Sequence, residues 1–240
     1  MSLRNAFAYL TALRVPPRAR APLTRSLHYF PWFGAAFGSV NVLCFLAVSR
    51  ALPSPFACLA AVLVPQILTG FSPIRGAMEA KQGRRTFPGH GLVAGFRAGK
   101  PELATAAGLL IVKWGALLSL SPDWRVRAAF VFPILGMSAR TFAFLADARR
   151  HRTGGKAFAG RRVRAGFLSG ALLFLAFLFP PLVGLAQLAL PALAVWLTLR
   201  LRRRNGGVHP GRLSLQTAAL VSEVAEVTAL AVIAVFTILH

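Results

Sequence analysis

Long hydrophobic runs, separated by short basic stretches, set the pattern of this chain. A helix needs roughly 20 apolar residues to cross about 30 Å of hydrocarbon, and seven windows come close to that length. The windows are 32–49, 54–72, 103–120, 128–147, 165–182, 184–201 and 215–238. Pro180 and Pro181 mark either a tight turn between the fifth and sixth windows or a kink within one hairpin. The pattern predicts an all-α, polytopic integral membrane helix bundle with about seven transmembrane helices.

The composition supports a bilayer protein rather than a soluble domain. Of the 240 residues, 56% are hydrophobic and only 6 are Asp or Glu, so a single soluble core would leave much apolar surface exposed. Cys44 and Cys58 lie inside apolar windows without metal-ligand spacing, which predicts packing residues. No repeat or low-complexity tract divides the chain, and residues 1–240 are predicted to form one transmembrane domain.

The basic residues predict how the helices are oriented. The formal net charge is +22, and alternate loops hold 22 Lys and Arg on one side but only Arg50, Arg125 and Arg127 on the other. By the positive-inside rule, the N-terminus and the basic loops face the cytoplasm of a bacterial-type inner membrane, and His240 lies outside. Because the basic loops lack interleaved aromatic residues for base stacking, we expect the lipid bilayer rather than a nucleic acid as the partner.

Residues 1–30 form a basic cytoplasmic arm in this topology. Its apolar residues follow helical spacing and are Leu3, Ala6, Phe7, Leu10 and Leu13. The arm is either an interfacial helix or a disordered basic tail, and the spacing favours the helix.

Two glutamates in the last window are the main candidates for chemistry inside the membrane. Glu223 and Glu226 are three residues apart, hence about 60° apart on one helical face. Paired carboxylates suit a hard cation such as Mg²⁺. They would equally neutralise Lys113 and Arg140 on neighbouring helices, because charges inside a bilayer are usually paired. The residues alone allow both a metal site and ion pairs, and they favour the ion pairs.

Four segments in order resemble the adenosylcobinamide-GDP ribazoletransferase family, also called cobalamin synthase. They are FAYLTALRVPP at 7–17, HYFPWFGAAFG at 28–38, LTGFSPIRGAMEAKQG at 68–83 and GGVHPGRLSLQTAALVSEVAEV from Gly206. The third segment is similar to the family's acidic motif, which reads Leu-Thr-Gly-Gly-x-His-x-Asp-Gly-x-x-Asp-x-x-Asp-Gly. The matching positions are Leu68, Thr69, Gly70, Gly76 and Gly83.

Most acids of the family pattern are replaced in this chain. The three aspartate positions of the acidic motif hold Arg75, Glu79 and Gln82, and the histidine position holds Pro73. Two further aspartate positions hold Gly95 and Gln216. Only Glu79 keeps a negative charge, and Arg75 places a permanent cation where the family has a ligand.

The resemblance implies a Mg²⁺-dependent transferase of cobalamin biosynthesis. In that family, α-ribazole or its 5′-phosphate attacks adenosylcobinamide-GDP through its hydroxyl group and GMP leaves, while Mg²⁺ neutralises charge on the phosphoryl oxygens. The metal ligands that the resemblance implies here are Glu79, Glu223 and Glu226. The phosphate- or substrate-binding residues that it implies are Arg75, Gly76, Gly83 and Arg97.

Three functions are consistent with these observations. The first is a ribazoletransferase whose metal site is rearranged and weakened. The second is a non-catalytic family member that binds a phosphorylated corrinoid, a lipid or a membrane partner. The third is a transporter or an enzyme for another substrate, in which Lys113, Arg140 and the two glutamates line a path.

Overall fold

A computed structural model describes Leu10 and residues 27–71, 100–150, 181–204 and 215–239. After a 3₁₀ turn at Leu27–Tyr29, these residues form six α-helices. They are α1 (Phe30–Ala51), α2 (Ser54–Leu68), α3 (Lys100–Leu118), α4 (Pro122–Arg150), α5 (Pro181–Arg204) and α6 (Leu215–Leu239). No strand occurs in these ranges, so the all-α prediction is confirmed for the described part of the chain.

Three of the helices are long and apolar enough to cross a membrane, namely the segments Phe30–Ala51, Pro122–Leu145 and Thr217–Ile238. Two shorter apolar segments, Ser54–Leu68 and Ala107–Leu118, lie in α2 and α3. Large apolar side chains such as Leu43, Ile111 and Ile238 are exposed on the outside of the bundle, as expected for a surface covered by lipid.

The helix ends differ from several of the predicted windows. α4 begins at Pro122, so Arg125 and Arg127 lie in its first two turns rather than in a loop. Proline favours the first helical turn because it has no N–H to leave unpaired there. Of the predicted span 165–182, all but the last two residues lie outside the described residues. That span, the sidedness and the single-domain organisation stay predictions.

Two glycines let α1 and α4 pack closely in antiparallel directions. A Cβ at Gly34 would lie 3.0 Å from the Ile134 Cα atom, and one at Gly38 would overlap the Phe130 carbonyl oxygen. Phe30 at the start of α1 meets the ring of Phe144, edge to face, near the end of α4. The four-residue spacing places both glycines on one face of α1. Membrane helices commonly pack closely against each other through such faces of small residues.

A buried asparagine on α1 compensates for a proline within α4. Pro133 has no N–H, so the carbonyl of Ala129, one turn earlier, has no helical donor. The side-chain Nδ2 of Asn41 donates to that carbonyl at 2.8 Å, and Asn41 is fully buried. The pairing is favourable because an unpaired carbonyl inside a membrane protein costs several kcal/mol.

Two buried clusters connect α4 to α6. Phe132 of α4 shares the first cluster with Ile233 of α6, whereas Phe144 shares the second with Val221. Early residues of α4 therefore meet late residues of α6, and the two helices are antiparallel. Leu10 of the arm is also buried in the second cluster, so this point of the arm packs on the bundle.

Arg125 of α4 links α2 and α3 by hydrogen bonds at the end of the bundle where α3 joins α4. Arg125 donates through Nη1 to the Ser54 hydroxyl of α2 and, at 2.8 Å, through Nη2 to the Leu118 carbonyl of α3. Nearby, the indole N–H of Trp114 donates to the Pro55 carbonyl at 2.9 Å. These bonds hold α2 and α3 side by side and thereby position the polar residues farther along both helices.

Candidate functional site

Four ionisable side chains are buried where α3, α4 and α6 meet. They are Lys113 on α3, Arg140 on α4, and Glu223 and Glu226 on α6, and each is at most 5% exposed. We call these four residues the charge cluster. Charged side chains at membrane depth are rarely tolerated without partners, and they often mark functional positions.

Lys113 joins the two carboxylates of the cluster. Its Nζ atom lies 2.6 Å from Oε2 of Glu223 and 2.6 Å from Oε2 of Glu226. The three-residue spacing on α6 makes this geometry accessible, because it places both carboxylates on one face of the helix. The predicted ion pair between Lys113 and the glutamates is thus confirmed.

The remaining oxygens of both carboxylates also have protein donors. Oε1 of Glu223 accepts a hydrogen bond of 2.7 Å from Nε2 of Gln66, near the end of α2. Oε1 of Glu226 accepts a longer bond of 3.4 Å from the Ser222 hydroxyl, one turn earlier on α6. Three of the four carboxylate oxygens therefore accept a hydrogen bond, and the fourth, Oε2 of Glu223, is held by the ion pair with Lys113 alone.

A glycine on α4 provides the space for one carboxylate. A Cβ at Gly136 would lie 2.7 Å from Cγ and 2.8 Å from Cδ of Glu226, and it would overlap Oε1. These distances are shorter than van der Waals contact, so any side chain at this position would displace the glutamate. Gly136 thus determines where the Glu226 carboxylate lies relative to Lys113.

Arg140 is the second cation of the cluster and lies one helical turn after Gly136. It is fully buried, and Glu226 and Glu223 act on it electrostatically. Its Nε and Nη2 atoms have no hydrogen-bond partner. Together with Lys113, it balances the two carboxylates, so the cluster is formally neutral.

The arrangement of the described residues does not fit a bound Mg²⁺ ion. Within the ranges that the structure covers, no group of three or more His, Cys, Asp or Glu side chains is close enough to hold a metal. Glu223 and Glu226 converge on the ammonium group of Lys113 at 2.6 Å, the point where a shared cation would lie. Glu79, the third expected ligand, lies outside the described residues.

The first residues of the acidic motif form a tight turn at the end of α2. Gly70 has φ 61° and Phe71 has φ 57°, both in the left-handed region. The Thr69 hydroxyl donates to the Pro65 carbonyl at 2.8 Å, and the Phe71 N–H donates to the Gln66 carbonyl at 2.7 Å. The second glycine of the family pattern is replaced by Phe71, yet the backbone keeps a conformation that favours glycine.

Most of the predicted site residues lie outside the described part of the chain. These are Arg75, Gly76, Glu79, Gly83 and Arg97. Two residues that contact the glutamates of the charge cluster, Gln66 and Gly136, were not among the candidates from the sequence. An amide inside the apolar run of α2 is a recognisable signal for Gln66, because a buried amide needs a partner. The sequence carries no comparable signal for Gly136, whose role depends on the facing helix.

Comparison with protein-family models identifies one family for this chain. The model described as cobalamin-5-phosphate synthase matches residues 2–234, which is nearly the whole sequence. Comparisons with curated proteins and with solved structures gave no significant match.

Proposed function

The chain belongs to the cobalamin-5-phosphate synthase family, and from this membership we propose that it acts as an adenosylcobinamide-GDP ribazoletransferase in cobalamin biosynthesis. The observation that carries the proposal is the family match over residues 2–234, which includes all four resembling segments. The membrane helices and the glycine-type turn at Thr69–Phe71 are consistent with it.

The proposed reaction is a phosphoryl transfer. A hydroxyl oxygen of α-ribazole forms a bond to the corrinoid-linked phosphorus, the bond from that phosphorus to GMP breaks, and GMP leaves with the electron pair. The hydroxyl proton passes to solvent or to a nearby base. Arg75 and Arg97 are proposed to bind the phosphates, since guanidinium groups bind phosphate oxygens in pairs. Gly76 and Gly83 are proposed to let the backbone approach the substrate.

A second function is favoured by the charge cluster itself. Lys113 already neutralises Glu223 and Glu226, and the acidic motif has Arg75 and Gln82 at aspartate positions. A family member built in this way would bind a phosphorylated corrinoid, a lipid head group or a membrane partner without transferring a phosphoryl group. Where the ligand is a phosphorylated corrinoid, the two functions differ only in turnover.

One experiment separates the two functions. Purified chain in liposomes is supplied with adenosylcobinamide-GDP and α-ribazole, with and without Mg²⁺, and GMP release is measured beside equilibrium binding of adenosylcobinamide-GDP. Release above empty liposomes supports the transferase, whereas binding without release supports the non-catalytic function. If neither is observed, both the transferase and the binding of a phosphorylated corrinoid are wrong.

Alanine variants test whether Arg75 and Arg97 bind the phosphates of the substrate. Arg75→Ala and Arg97→Ala should each weaken binding of adenosylcobinamide-GDP by about tenfold or more, because each removes a charge-assisted bond to phosphate. Arg50→Ala is the control, since this exposed arginine lies at the opposite end of α1 from the basic loops. An equal loss in all three variants would contradict a specific site.

Substitution by aspartate at the family's aspartate positions tests whether this chain has lost the ability to bind Mg²⁺. Aspartates introduced together at Arg75, Gln82 and Gln216 should produce Mg²⁺ binding that the natural chain lacks, if the chain is non-catalytic. Equally strong Mg²⁺ binding by the unaltered chain would contradict that function.

We further propose that the basic loops face the cytoplasm of a bacterial-type inner membrane. In a chain whose two cysteines are replaced, Ser121→Cys lies in the exposed α3–α4 connection, and Arg152→Cys falls in the basic loop that the sequence predicts over 148–164. A membrane-impermeant maleimide should label residue 121 from outside intact cells and residue 152 only in inverted vesicles. The reverse labelling would refute the orientation.

A further inference from the structure

We infer that Lys113 is a built-in cation, which takes the position between Glu223 and Glu226 that a divalent metal ion would otherwise occupy. Both glutamates place one oxygen 2.6 Å from the same ammonium nitrogen. A metal ion shared by the pair would need these two oxygens, so it must first displace the lysine side chain.

The other contacts of the pair hold it in this arrangement. Gln66 donates a hydrogen bond of 2.7 Å to Oε1 of Glu223. The Ser222 hydroxyl lies 3.4 Å from Oε1 of Glu226. The Lys113 ammonium also lies 5.9 Å from the centre of the Phe132 ring, whose face attracts a cation. Displacement of the lysine would therefore break several contacts at once.

Charge balance also opposes a divalent ion at this position. Lys113 and Arg140 offset the two carboxylates, and all four residues are at most 5% exposed. An added Mg²⁺ ion would leave two uncompensated positive charges in a region with little solvent screening. Loss of Lys113 reverses this balance, because the cluster then carries one net negative charge.

The inference concerns the ion requirement of this pair and goes beyond the proposed transferase activity. It predicts that a single side chain prevents divalent binding at Glu223 and Glu226. The full-length chain is purified in detergent as wild type, Glu226→Gln, Lys113→Met and the double variant Lys113→Met/Glu226→Gln. Mn²⁺ is used as a spectroscopic probe, and free Mn²⁺ is followed by electron paramagnetic resonance.

Lys113→Met should bind Mn²⁺ at least about a hundredfold more tightly than the natural chain, because a full positive charge next to the site is removed while both carboxylates stay. The double variant should lose this gain, because only one carboxylate remains. Wild type and Glu226→Gln should bind Mn²⁺ equally. A folded Lys113→Met chain without this gain would overturn the inference. So would a loss of wild-type Mn²⁺ affinity on Glu226→Gln, a comparison that does not depend on the lysine variants folding.

GMP release is not measured in this experiment, so the two proposals fail separately. A chain that shows the Mn²⁺ gain but releases no GMP keeps the built-in cation and loses the transferase. A chain that releases GMP while its wild-type Mn²⁺ binding depends on Glu226 keeps the transferase and loses the built-in cation.

Discussion

Substitution of Gly136 by alanine should destabilise the helix bundle by forcing the Glu226 carboxylate away from Lys113. The added Cβ would lie 2.7 Å from Cγ and 2.8 Å from Cδ of Glu226, which is too close for either to stay in place. The same substitution at Gly115 on α3 is the matched control, since a Cβ there meets nothing within 4 Å.

The expected magnitude follows from two opposing effects. Breaking a buried ion pair costs about 3–5 kcal/mol, and alanine gains about 1 kcal/mol over glycine in a helix interior. Lys113 keeps Glu223 as a partner, so we expect the lower end of the first range and a net loss of about 2 kcal/mol for Gly136→Ala. Gly115→Ala carries only the helical gain, up to about 1 kcal/mol.

Equilibrium unfolding in mixed detergent micelles, followed by circular dichroism, measures both variants. A Gly136→Ala free energy of unfolding within about 0.5 kcal/mol of the Gly115→Ala value would refute the reasoning. A double-mutant cycle sharpens the test. In a Glu226→Ala background the crowded side chain is gone and Gly136→Ala should cost nothing. In a Glu226→Gln background the crowding remains but the ion pair is already lost, so Gly136→Ala should cost less than in the natural chain.

Three further substitutions test the packing of the bundle by the same unfolding measurement. Asn41→Leu should lower the free energy of unfolding by about 1–3 kcal/mol, because a buried carbonyl loses its donor. Adding Pro133→Ala, which returns a helical N–H to that carbonyl, should recover most of the loss, and an equal loss in both backgrounds would contradict the pairing. Phe71→Gly should be more stable than Phe71→Ala by about 1 kcal/mol, since alanine keeps the strain of the left-handed backbone; equal stabilities would count against strain at this turn. Arg125→Lys should lose about 1–2 kcal/mol because an ammonium lacks the fork that bridges two oxygens, and the exposed Arg50→Lys should stay within about 0.5 kcal/mol of wild type. Similar losses at both arginines would argue against the bridge.

The hydrophobic pattern predicts the helical class well because crossing a bilayer demands a minimum apolar length. Helix ends are less predictable, as α4 shows. The window begins at residue 128, but the helix begins at Pro122 and includes Arg125 and Arg127. A polar start interrupts the apolar run without interrupting the helix, since the Arg125 side chain reaches the ends of two neighbouring helices.

The cluster illustrates what a single sequence shows and what it does not. Helical spacing predicts that Glu223 and Glu226 share a face, and the cost of buried charge predicts a partner such as Lys113. The contact with Gln66 and the space at Gly136 depend on the rotation and depth of neighbouring helices. Likewise, Pro133 indicates that the carbonyl one turn earlier has no helical N–H donor. The sequence does not show that the side chain of Asn41 on α1 donates to that carbonyl.

The bridge between Lys113 and Glu226 also constrains how the protein is made. The two residues are 113 positions apart in the chain, so α3 is synthesised well before α6 exists. During that interval, Lys113 and Arg140 have neither carboxylate, and membrane insertion must leave both cations near water or in contact with lipid phosphates. Arrival of α6 then neutralises them together. α6 is thus the element that completes the charge cluster, and a nascent chain that stops before it would leave Lys113 and Arg140 without these two carboxylates.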